Sequence, residues 1–234
     1  MKNRFLPPLI ALLAGLVGCS SKPAPASVGQ AYFQGMGCVK CHQIGEEGGT
    51  YGPNLTFVGF RKTPQWLDMW LQNPHAWRQK TVMPNFHFPD NVRKEIVEYL
   101  SAQKGQGFDK AGRPWNAPEL QGNLVKKGEV IFNKAGCVAC HAEMGRGGYR
   151  NNNVVGGLIP TLTKVSEGYT KEELLSKIKN GVTSSPADPS QPLPMISMPK
   201  WGAVLKDDEI NAVIEFLFSL NASNAKSEKS GDSW

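Results

Sequence analysis

The sequence predicts an all-α fold assembled from two tandem copies of one small unit, and three observations support that prediction. The stretch "GCVKCHQ" (37–43) returns as "GCVACHA" (136–142), in a chain of 234 residues with only five cysteines and four histidines. The residues before each copy repeat as well: "VGQAYFQGMGCVKCH" lies without a gap on "KGEVIFNKAGCVACH", pairing Gly29 with Gly128, Phe33 with Phe132 and Gly37 with Gly136. Finally, apolar residues recur at helical spacing in both halves, and no stretch alternates with a period of two, so sheet is minor at most.

The elements come in matched pairs. "GPNL" (52–55) answers "IPTL" (159–162), "VMPNF" (82–86) answers "SMPKW" (197–201), and "IVEYL" (96–100) answers "VIEFL" (213–217). Thr63 and Thr170 are expected helix N-caps, with Pro64 at the first helical position. Trp66, Leu67, Trp70 and Leu71 then form a buried stripe, as do Leu174, Leu175 and Ile178 in the second copy. Asp90 and Asp207 open the last helix of each unit, which buries Ile96, Val97, Tyr99 and Leu100, or Ile210, Val213, Ile214 and Leu217. The second copy carries a longer loop, "GRGGYRNNNVVGG" (145–157), before its proline. These matches place the units at 28–105 and 123–220. A Gly- and Pro-rich linker is expected at 106–122 and a disordered tail at 221–234. Units of this size fold with modest cores, which a large apolar cofactor would help to fill.

The N-terminus reads as an export signal at 1–18. Lys2 and Arg4 precede the apolar run "FLPPLIALLAGLV" (5–17), which is short and broken by two prolines. It ends in Leu16-Val17-Gly18-Cys19, which resembles the lipobox of bacterial lipoproteins, so Cys19 is the expected lipidation site and 19–27 a flexible tether. The cysteine count agrees: four belong to the two repeats and the fifth falls where a lipobox needs it. Multiple acyl chains hold a protein on a membrane firmly. The expected location is therefore the cell membrane or outer membrane, facing the periplasm or the exterior. The formal charge of +6 is mild and unclustered, which argues against a nucleic-acid partner.

Cys-x-x-Cys-His is the attachment site of c-type haem. At helical spacing Cys38 and Cys41, or Cys137 and Cys140, put two sulfurs on one side of a turn for thioether bonds, while His42 or His141 faces the iron. A zinc site or a redox dithiol is the rival reading, but each unit offers only Cys, Cys and His together and no βαβ context. The second axial ligand is best supplied by Met83 and Met198, each in a Met-Pro-x-aromatic sequence shortly before the last helix. A soft neutral thioether favours ferrous iron. Met195 lies three residues from Met198 but lacks the following proline, and Met69, Met36 and Met144 are better read as packing. His75 and His87 have no counterpart in the second unit and are expected outside the ligand set. Tyr51, Arg61, Trp77 and Arg78 are candidate donors to the haem propionates, or solvated surface.

Over residues 28–101 and 126–218 this pattern resembles class I cytochrome c, written twice. The first unit is similar to the cytochrome c domains of bacterial respiratory complexes, and the two-unit plan is similar to diheme cytochromes of the c4 type. The resemblance implies two tandem class I cytochrome c domains, each a few helices around one of two covalently attached haem c groups. It implies that the Gly29/Phe33 face crosses Tyr99, and the Gly128/Phe132 face Phe216. It also implies that the carbonyls of Pro53 and Pro160 accept a hydrogen bond from the proximal imidazoles. With both irons six-coordinate the expected role is electron transfer, not catalysis. Redox proteins are the partners: a quinol-oxidising complex or dehydrogenase as donor, and a terminal oxidase, reductase or extracellular acceptor. A fixed haem c subunit of a larger membrane complex, or a diheme peroxidase-like enzyme, is the alternative.

Overall fold

The computed structural model describes residues 27–230, with side chains for all but 110, 111 and 222–230. The signal segment, Cys19 and most of the tether lie outside the described residues, as do 231–234. The fold is all-α, as expected, and no helix among the described residues is long and apolar enough to cross a membrane.

The first unit starts with α1 (Val28–Gly35), whose free N–H groups begin to be satisfied by the Ser27 hydroxyl, which accepts from Gln30 N at 3.2 Å. A 3-10 turn at Cys38–Lys40 comes next, entered through Gly37 at φ 77°. A short antiparallel hairpin, β1 (Gln43–Ile44) and β2 (Glu47–Gly48), leads to α2 (Val58–Arg61), α3 (Pro64–Gln72) and α4 (Pro74–Trp77). An extended stretch bearing Met83 then enters α5 (Asp90–Ser101). Thr63 caps α3 through Trp66 N at 3.2 Å, and Leu67 and Leu71 turn inward. Trp66 and Trp70 are only half-buried and stack on each other, centroids 5.2 Å apart. The core gathers Phe33, Val58, Leu67, Leu71, Ile96, Val97 and Leu100. A side chain on Gly29 would collide with the Glu95 carbonyl and Tyr99 Cβ, so glycine is what lets α1 lie on α5.

The second unit repeats this plan with α7 (Leu124–Lys134), α8 (Val138–His141), α9 (Val165–Gly168), α10 (Lys171–Asn180) and α11 (Asp207–Ser230). Thr170 and Glu173 close a capping box at the head of α10, with bonds of 3.2 and 2.8 Å. Gly128 meets Ala212 and Phe216 as Gly29 meets Glu95 and Tyr99. The Phe132–Phe216 rings (5.4 Å) reproduce the Phe33–Tyr99 pair (5.5 Å).

Two segments hold more regular structure than their composition suggests. The linker at 106–122 is itself folded. It forms a further helix, α6 (Gln106–Ala111), and two 3-10 turns at Pro114–Asn116 and Pro118–Leu120. Phe108 and Trp115 are fully buried in the second core, because two large aromatics gain far more by leaving water than the glycines lose in chain freedom. Trp115 Nε1 donates to Glu209 at 2.6 Å, and Arg113 pairs with the same buried carboxylate. Helix α11 runs on to Ser230, into the segment expected to be a tail; 231–234 lie outside the described residues.

Candidate functional site

Each Cys-x-x-Cys-His motif sits on a tight turn against its unit's core. Cys38 and Val39 pack on the first cluster and Cys137 and Val138 on the second; Met83 and Met198 pack on the same two clusters respectively. Residues far apart in sequence thus border one interior in each unit.

The geometry of the histidines decides what they can do. His42 Nδ1 lies 2.9 Å from the Pro53 carbonyl and His141 Nδ1 lies 3.4 Å from the Pro160 carbonyl. A carbonyl only accepts, so each Nδ1 carries the proton and donates, leaving the Nε2 lone pair for a metal. Burial draws both imidazoles below the usual histidine range, His42 further through the nearby Arg61 cation, while the bonds to the prolines pull the other way. Neutral imidazole is the ligating form. The residues just after Pro53 are held by a buried polar network: Asn54 Oδ1 accepts from Thr56 N at 2.9 Å, and Thr56 Oγ1 from Gly45 N at 2.7 Å.

Cys38, Cys137 and Cys140 are half-buried and Cys41 is exposed. Burial pushes Cys38 upward and Cys137 up to about 12.

Three features near the methionines escaped sequence reading. Trp70 Nε1 donates to Met83 Sδ at 3.1 Å; the paired Met-Pro motifs carry no sign of it, and a tryptophan in the helical stripe is the only signal that could have. In the second unit Met198 exchanges backbone bonds with Val182, both 3.0 Å. The long Gly/Asn loop folds onto the same segment. Asn151 Nδ2 donates to Ile196 O at 2.8 Å, Asn152 Oδ1 accepts from Met195 N at 2.9 Å, and Asn153 Nδ2 donates to Pro192 O at 2.8 Å. Met195 is thereby fixed through its backbone.

A haem also brings two carboxylates that need donors. Arg61 Nε and Trp66 Nε1 are buried and unpartnered, so the first unit has donors waiting for an anionic group, and the chain's residues fit it. Of the other donors named from sequence, Tyr51 and Arg78 are exposed, the latter lying over the Tyr149 ring at 3.7 Å, and Trp77 is half-buried. His75 and His87 are both exposed.

Comparison with known proteins agrees with this geometry. A stretch of 90 residues, 34% of this chain, is 28% identical to the cytochrome c oxidase subunit 2 of Alkalihalophilus pseudofirmus, and it spans 26% of that protein's length. No solved structure matches. The model of the cytochrome c family matches twice, over residues 26–104 and 125–221, one match for each unit. The chain therefore belongs to the cytochrome c family, whose members bind haem c covalently.

Proposed function

We propose that this protein is a membrane-tethered diheme electron carrier, with one haem c on Cys38 and Cys41 and the other on Cys137 and Cys140. His42 and Met83 are the axial ligands of the first iron, His141 and Met198 those of the second. The reading rests above all on one observation made twice: an imidazole whose Nδ1–H is spent on a proline carbonyl, in an attachment turn whose first cysteine borders the same core as a methionine. When bound, each haem supplies a one-electron change of iron valence. The protein's part is to keep both imidazoles neutral and oriented, to hold two thioether ligands in place, and to surround them with apolar side chains that exclude water.

Intact mass and a spectroscopic redox titration test this reading together. Two covalent haems, low-spin spectra, and a near-infrared methionine–ferric band on both irons are expected. A mass without added porphyrin overturns it; high-spin iron that binds azide or cyanide readily points to the peroxidase-like enzyme instead. Tethering is a separate test, in which Cys19→Ser moves the protein from the membrane fraction to the soluble one.

The relative's name, an oxidase subunit, favours a second reading in which the chain is a fixed part of a larger respiratory complex. Extraction in mild detergent separates the two. A free carrier elutes alone, and a subunit elutes with integral partners. Donor and acceptor proteins, a quinol-oxidising complex or dehydrogenase on one side and an oxidase, reductase or extracellular acceptor on the other, belong to the same proposal.

A further inference from the structure

The two units differ where they meet. Arg61 and Lys62 end α2 and begin the next turn of the first unit, yet both reach the attachment turn of the second. The Arg61 guanidinium lies against Gly136, where a Cβ would come within 2.7 Å of its Cζ, and the Lys62 amine lies close enough to Cys140 for the two to interact electrostatically. Both residues are only 8–9% exposed, and among the described residues neither forms an ion pair. Arg61 Nη2 donates to Asn54 O at 2.9 Å, while its Nε has no partner. Lys62 Nζ rests over the Trp66 ring at 4.2 Å.

The repeat shows that the other half lacks this feature. With Thr63 set on Thr170, Arg61 and Lys62 fall on Gly168 and Tyr169, so the second unit has no cation of its own at this place. Helix α2 and its N-cap residue Phe57 also touch the second unit beyond Met198. Phe57 and Phe60 pack edge-on against Trp201, at 6.1 and 5.3 Å, three residues beyond Met198.

We propose that the first unit completes the second haem site, and that Arg61 and Lys62 act on it across the unit boundary to raise its reduction potential. The physical reason is simple: ferric iron carries one more positive charge than ferrous, and a cation buried in a medium that screens poorly disfavours the ferric state. Arginine remains charged even when burial draws its pKa down, as it does here. The inference rests on the diheme reading, which haem count tests by itself.

The test compares Arg61→Gln/Lys62→Gln with Arg61→Lys/Lys62→Arg in the full holoprotein by spectroelectrochemical titration. A Met83→His background, which lowers the first haem's potential, resolves the second wave. Paramagnetic NMR of each ligating methionine methyl gives the same assignment without that background. The neutral pair is expected to lower the second haem's ferrous-to-ferric equilibrium at least tenfold, a shift of about 59 mV for one electron, while the charge-keeping pair stays near the parent. The proposal is overturned by an unchanged second potential in the neutral pair, or by an equal drop in both pairs, which would trace the effect to packing. If mass shows fewer than two haems in the parent, the diheme reading itself fails.

Discussion

An imidazole that has committed one nitrogen to a carbonyl has only one face left to offer, and here that happens at both His42 and His141. Their pKa values in the folded chain lie below the unfolded value of about 6.5. Below that pH the unfolded chain takes up protons that the folded chain refuses, so stability is full above about pH 6.5 and falls as the solution is acidified. Denaturant midpoints measured at about pH 7.5 and about pH 5 should show the lower value in acid. The other residue that shapes its site is Trp70. Its N–H withdraws electron density from the Met83 sulfur, and Lys177 occupies the matching place in the second unit. Trp70→Phe should therefore lower the first haem's potential and leave the second unchanged, read by the same redox titration. The two Cys-x-x-Cys-His turns and the two Met-Pro stretches that border the cores were legible in sequence because each is a fixed local spacing written twice. Trp66 and Trp70 were legible only as packing, since hydrogen bonds to sulfur or to a carboxylate have no sequence period.

At the scale of elements, the crossing of each unit's first and last helix depends on one glycine. Gly29→Ala or Gly128→Ala forces a methyl into a backbone carbonyl, and should cost about 1–3 kcal/mol or more in chemical denaturation. The caps at Thr63 and Thr170 and the starts of α5 and α11 were readable, because capping is local chemistry with a local signature. The Asn151–Asn153 clamp was not. Its partners lie 39 to 45 residues away, and an asparagine-rich loop carries no mark of the segment it will bind.

The whole molecule differs most from its sequence between the units. Gly105, Gly112 and Pro114 mark a linker, but composition does not weigh two aromatics against several glycines. Phe108 and Trp115 become part of the second core, to which Phe57 of the first unit also belongs. Trp115→Ala should cost about 3–5 kcal/mol and lower the melting temperature of the second unit's haem signal. Because that join is packed solid, the halves do not swing on a string. Passage of an electron from one to the other then needs no search by diffusion, and thickening the solvent with glycerol should slow encounters with partner proteins while leaving the internal hop at its original pace.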